Sequence, residues 1–200
     1  MLTVYGDERS GNCYKVKLIL NAVDIAHRWE HVDILAGETQ SAAFAAINPA
    51  GQIPAVALED GTVLAQSNAI LWYFGAGTPW VPDDRFGQAR MLEWMFFEQY
   101  SHEPYIATAR FWLVYLDAEA QYADRLAENR PKGYKALGVM ETQLGQHDWL
   151  TGDTPTLADM SLYAYTHVAS EGGYDLADYP AVRDWLGRFA GLDTYVPMVG

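Results

Sequence analysis

The stretch IPAVALEDGTVLAQSNAILWYFG, residues 53–75, decides how the first third of the chain folds. Asp60-Gly61 sits between two alternating apolar runs. That pattern predicts a β-hairpin closed by a type I′ turn, in which both central residues take positive φ. Ser67 then opens an apolar run that ends at Gly75, which predicts a helix capped by the serine.

Upstream, SAAFAAI (residues 41–47) reads as a short helix closed by Asn48-Pro49. WEHVDI (residues 29–34) reads as a strand. CYKVKLILNAV (residues 13–23) has helical spacing, with Cys13, Val16, Leu20 and Val23 on one face. LTVY (residues 2–5) is short and β-prone. The predicted order is β-α-β-α-β-β-α, a small mixed sheet with helices on its faces.

Downstream the character changes. AGTPWVPDDR (residues 76–85) is rich in glycine, proline and acid, as a linker is. Strand signals then nearly vanish. Residues 86–115 predict a long aromatic-rich helical stretch bent at Pro104. Residues 118–147 predict a helix or a pair of helices, interrupted by Pro131 and Gly133. Thr156 and Asp159 match a capping box, with Asp in place of the usual Glu. They open LADMSLYAYTHVA, a helix apolar nearly all round and so expected to be buried. A last helix follows Pro180. The predicted fold class is α/β plus all-α. The expected domains are 1–76, a linker over 77–86, and a helical domain over 87–200.

Bulk composition narrows the function classes. Half of the 200 residues are apolar, enough for a substantial core. The net charge is −13, from 26 acidic and 13 basic residues, which disfavours nucleic acid and anionic membranes. No apolar run approaches the roughly 20 residues that span a bilayer. One cysteine forms no internal disulfide, and no charged segment precedes an apolar leader; both lead to an expectation of a cytoplasmic protein. His27, His31, His102, His147 and His167 have no metal-ligand spacing, so no metal site is expected.

This layout, with three local motifs, resembles the cytosolic glutathione transferase superfamily over essentially the whole chain. The motifs are NPAGQIP from Asn48, AQSNAILWYF from Ala65, and PTLADMSL from Pro155. The resemblance implies an N-terminal thioredoxin-like domain that binds glutathione as co-substrate, and a C-terminal all-α domain. It implies a cis bond before Pro54, with Gln52 in the same loop. The Ile53 backbone would pair with the cysteinyl part of glutathione. Gln66 and Ser67 would hold its γ-glutamyl carboxylate, which also suits the anion-binding start of a helix. Ser67 as a plain N-cap is the alternative. The third motif is a folding signature of the helical domain. Homodimers in a detoxification role are the family habit.

The loop DERSGNCYKVKLIL (residues 7–20) gathers Ser10, Asn12 and Cys13 at the mouth of a helix. Some transferase classes place a catalytic serine there, in patterns like Ser-x-x-Cys. A bacterial subgroup with disulfide-reductase activity has Thr-Pro-Asn, and Ser10-Gly11-Asn12 is similar, with Gly for Pro. A hydroxyl or amide donor beside a helix start favours a thiolate. Ser10 and Asn12 are therefore both candidate donors, although either also suits a cap. Cys13 shares the face of Val16 and Leu20, so a core position is expected for it. The second substrate would lie against the helical domain, where Tyr100, His102, Tyr105, Arg110 and Phe111 are candidates. Aromatics with a few polar groups suit a small hydrophobic electrophile, and His102, Tyr105 and Arg110 are the substrate-binding candidates among them. The leading expectation is thiol activation for attack on such an electrophile. The alternatives are a glutathione-dependent disulfide oxidoreductase or peroxidase, and a non-catalytic transferase-like scaffold.

Overall fold

A computed structural model describes residues 1–199. The chain forms two compact units: 1–78 together with the segment from Asp193 onward, and Pro79–Leu192.

The first unit is built on a four-stranded sheet of order β2-β1-β3-β4. β1 (Leu2–Gly6) pairs in parallel with β2 (His27–His31) and antiparallel with β3 (Ala55–Ala57). β3 pairs antiparallel with β4 (Val63–Ala65). A parallel β1–β2 pair needs a crossover, and α1 (Gly11–Ala22) supplies it. α2 (Ala42–Ile47) starts at Ser41, whose hydroxyl accepts from the Phe44 amide, and α3 (Ser67–Gly75) follows the hairpin. Val4, Val16, Leu20, Val56, Ile70 and Leu71 are wholly buried, so sheet and helices share one core. Each such side chain contributes about 1.5–3 kcal/mol.

Three expectations need correction here. The hairpin turn is not type I′: Gly61 alone has positive φ (86°), while Asp60 does not. The Gly61 amide donates to Leu58 O and the Leu58 amide to Thr62 O, which is a type I turn followed by a glycine bulge. Asp60 suits that turn because its carboxylate takes the Thr62 amide at 2.9 Å. The second strand begins at His27 and stops at His31, since β1 offers partners only to that point. Finally, Ser67 does not cap α3. It is the first helical residue, and Gln66 holds the cap position at φ 69°, ψ 110°.

The tail from Asp193 belongs with the first unit and not with the helices, because α1 grips it. Tyr14, Lys17 and Asn21 lie on one face of α1 at i, i+3 and i+7. They donate to the carbonyls of Val196, Pro197 and Thr194 at 2.6, 2.8 and 2.9 Å.

The second unit is helical. α4 (Arg85–Phe97) is capped by Asp84, which accepts from the Phe86 and Gly87 amides. The helical path continues through a π turn (Glu98–His102), α5 (Glu103–Arg110) and a second π turn (Phe111–Tyr115). Pro104 thus falls in the first turn of α5, where its missing N–H costs least, and the wider turn before it absorbs the ring. α6 (Glu119–Leu144) runs unbroken through Pro131 and Gly133, against expectation. Gly133 is a packing site: a side chain there would collide with the Tyr174 ring. α7 (Leu157–Thr166) is buried at every position, and α8 (Pro180–Ala190) closes the unit. The Thr156–Asp159 capping box forms.

Candidate active site in the N-terminal unit

Strand register assembles the site. Tyr5 lies opposite Ala55, and Ala55 opposite Ala65. One end of the sheet therefore carries three chain segments: the loop that leaves β1, the loop that enters β3 at Pro54, and the exit from β4 at Gln66. The peptide bond between Ile53 and Pro54 is cis, as the resemblance implied. The Asn48 side chain shapes this loop, donating to Gln52 O at 2.6 Å and accepting from the Ala50 amide. Gln52 is exposed, Ile53 half-buried and Pro54 buried.

The loop from Asp7 to Ser10 is ordered by Asp7, a buried carboxylate. It accepts from the Arg9 amide at 2.8 Å and from the Arg9 guanidinium. Gly6 must be small, because a Cβ there would lie 2.8 Å from Cys13 Sγ. That close approach seats α1 against β1. Ser10 is the N-cap of α1, and its hydroxyl oxygen accepts weakly from the Cys13 amide at 3.4 Å. The cap role is therefore taken, and Asn12 has another. Its Oδ1 accepts from Lys15 Nζ at 2.9 Å and from Ser67 Oγ at 3.1 Å. Lys15 Nζ also lies 3.5 Å from Ser67 Oγ. The starts of α1 and α3 are thereby tied together by side chains. Both helix starts turn their positive ends to this corner of the sheet, which favours an anion there.

Cys13 is fully buried. Burial pushes its thiol up to about 12, which keeps it protonated near neutral pH, as in a buried structural cysteine. Gln66 is exposed and Ser67 buried. The positive φ of Gln66 is uncommon for a residue with a side chain, and such strain concentrates at functional sites.

Of the candidates read from sequence, the structure brings Ser10, Asn12, Ile53, Pro54, Gln66 and Ser67 to one end of the sheet, with Gln52 at the rim. His102, Tyr105 and Arg110 lie in the helical unit. His102 is fully buried, with Nε2 2.9 Å from Thr166 Oγ1. The Thr166 hydroxyl donates to Leu162 O, so His102 Nε2 is the donor in that pair. Arg110 is committed to Glu171 at 2.6 Å and lies over the Tyr115 ring. Tyr105 accepts from Tyr174 Oη through its backbone carbonyl and has Lys132 over its ring. Among the described residues no cluster of His, Cys, Asp or Glu is arranged to hold a metal, and no helix is long and apolar enough to cross a membrane.

Sequence reading missed Lys15 and the Asp7–Arg9 pair. A signal for Lys15 existed: it sits three residues after Asn12 inside an apolar helical run, a position that ordinarily holds a core residue.

Comparison with known proteins agrees with this architecture. Residues 9–76 match the glutathione S-transferase N-terminal domain, and residues 95–193 match the glutathione S-transferase C-terminal domain. A glutathione S-transferase from Pseudomonas fluorescens Pf-5 is 48% identical; the alignment covers 100% of this chain and 99% of that one, with a TM-score of 0.98. Glutathione S-transferase 2 of Anopheles gambiae is 29% identical over 191 residues, 92% of this chain and 88% of that protein. A glutathione transferase homologue from Sulfitobacter, crystallised with bound glutathione, shares the fold at 22% identity, with a TM-score of 0.82 over 97% of this chain and 94% of that one. The fold and site define a thioredoxin-like domain joined to a helical domain. The chain belongs to the glutathione S-transferase family, and is a transferase of bacterial type.

Proposed function

We propose that this chain binds glutathione at the sheet corner of its N-terminal unit and activates the thiol for attack on a small hydrophobic electrophile. The convergence of the Ser10–Asn12 loop, the Pro54 loop and Ser67 at one end of the sheet carries this reading. The glutathione held by the Sulfitobacter homologue of the same fold supports it.

Gln66, Ser67 and the start of α3 suit the γ-glutamyl carboxylate. The extended backbone at Ile53 suits the cysteinyl peptide unit. Ser10 and Asn12, at the start of α1, suit the sulfur. A free thiol titrates near pH 8.5, and lowering that by about two units needs about 2.7 kcal/mol of preference for the thiolate. One hydrogen bond to a charged group contributes about 1.5–3 kcal/mol, and a helix start about 0.3–1. Ser10 and Asn12 then act as hydrogen-bond donors, and neither becomes covalently bound. The thiolate attacks the electrophilic carbon, the carbon–leaving-group bond breaks, and the leaving group departs with its electron pair. Bringing the two reactants together supplies most of the remaining rate enhancement.

For the second substrate, Tyr105 is the proposed contact, and Arg110, buried in its pair with Glu171, joins it only by leaving that pair. His102 is enclosed among helices and is better read as a core histidine. A cytoplasmic homodimer with a detoxifying role is the assignment that the family resemblance supports.

The test is a pH titration of thiolate absorbance with glutathione bound, paired with conjugation of a model aryl halide. A bound thiol titrating well below the free one, with conjugate formed, is the expected result. Binding without a shift removes activation from the Ser10–Asn12 loop. Turnover of a glutathione mixed disulfide in place of conjugation identifies a disulfide oxidoreductase, and no binding identifies a scaffold.

A further inference from the structure

Lys15 has no solvent-exposed surface. It lies in the second turn of α1, in a run where Cys13, Tyr14, Val16 and Leu18 are also buried. A buried charge is a poor stabiliser of a fold, because desolvation consumes most of what its contacts return. An apolar side chain of the same length would fill this space at lower cost. A lysine here needs a reason in the chemistry of the site.

Its geometry supplies one. An ammonium group only donates hydrogen bonds. The Asn12 atom 2.9 Å from Lys15 Nζ must then be the amide oxygen, which settles the end-for-end orientation that an asparagine amide otherwise leaves open. Ser67 Oγ donates to the same oxygen at 3.1 Å. Two donors, one of them charged, hold the Asn12 oxygen toward the start of α3. The NH2 end is thereby turned to the opposite side. Charged donors bind about twice as strongly as neutral ones, so Lys15 dominates this restraint.

We propose that Lys15 is a positioning residue for thiol activation: its ammonium fixes the Asn12 amide so that the N–H donor, and not the carbonyl, faces the glutathione sulfur. This rests on the glutathione-activating function proposed above. A carbonyl oxygen presented to a thiolate would repel it, so the orientation of Asn12 decides the sign of its effect. Lys15 touches neither the thiol nor the electrophile and acts through Asn12.

The test is Lys15→Met, which keeps length and removes both charge and donor, read by the thiolate titration of bound glutathione. The expected result is a rise in the bound thiol pKa of about one unit, a tenfold loss of thiolate on the acid side of the titration. In an Asn12→Ala background, Lys15→Met should add nothing, while Lys15→Arg in the parent chain should recover part of the shift. An equal shift with and without Asn12 overturns the proposal, because Lys15 would then act directly. A folded Lys15→Met protein with the parent thiol pKa also overturns it, and leaves the activating function standing. A parent chain that does not lower the thiol pKa overturns both. If Lys15→Met does not fold, the crystal structure of the parent chain with glutathione decides. An ammonium still on Asn12 Oδ1, with the amide nitrogen toward sulfur, supports the proposal. An ammonium moved onto a glutathione carboxylate overturns it.

Discussion

Ser67 Oγ donates to Asn12 Oδ1 at 3.1 Å across 55 residues of sequence. The bond joins the first turn of α3 to the first turn of α1, so the carboxylate and sulfur ends of the proposed glutathione site are mechanically one piece. It also means that the Ser67 hydroxyl is already engaged and must exchange Asn12 for the ligand if it is to bind a carboxylate directly.

Asn12→Ala should weaken thiol activation more than Ser10→Ala. The Ser10 oxygen caps α1, and its contact with the Cys13 amide is long, at 3.4 Å. Asn12→Ala should lower conjugation kcat/KM near neutral pH by about tenfold or more, the equivalent of about 1.4 kcal/mol or above. Ser10→Ala should cost about 0.5–2 kcal/mol of stability through the lost cap. Steady-state rates and denaturant unfolding on both variants separate the two effects.

Cys13 should resist thiol reagents in the native protein and react only on unfolding. Its thiol is raised from 9.0 to about 12 by burial. The folded state therefore keeps its proton where the unfolded chain has lost it. Stability contributed by the neutral thiol is full below about pH 9 and declines as pH rises from there toward 12. Cys13→Ala should flatten that decline in urea unfolding measured at a series of alkaline pH values.

Asp159→Ala should be among the most destabilising single changes in the helical unit. The buried carboxylate accepts from the Leu150 and Thr156 amides at 3.0 and 2.8 Å and from Trp185 Nε1 at 3.0 Å. Burial raises its carboxyl to about 6 even against these donors. Truncation orphans all three N–H groups, at about 1–3 kcal/mol each before water relaxes the site. A loss of about 3 kcal/mol or more is expected by chemical denaturation, with Asp159→Asn losing less because one acceptor remains.

His31 should titrate above its ordinary value of 6.5, chiefly through its hydrogen bond to Glu8 at 2.7 Å. A raised folded-state pKa means that the pair stabilises the fold below the unfolded value, and that this contribution is lost as pH rises through the folded value. The pair is half exposed, so the effect on stability is small and salt-sensitive. Proton NMR of the ring should show the midpoint fall in Glu8→Gln.

By itself the sequence determined the two-part architecture and most of the elements. Apolar periodicity carries that information locally, as in α1, and so do the stop at Gly75 and the capping box at Thr156. The same local signals misjudged the Asp60-Gly61 turn, since a dipeptide restricts φ without fixing the loop length around it. They also misjudged α6, where burial of one helix face outweighs the local cost of Pro131 and Gly133. The motifs around Ser10, Pro54 and Ser67 were legible one by one. Only the register of β1, β3 and β4 put them at one end of a sheet, because pairing depends on contacts between segments far apart in the chain. Lys15 shows the same limit most plainly. Its place inside an apolar helical run marks it as unusual, but only the tertiary structure encloses it against Asn12 and Ser67.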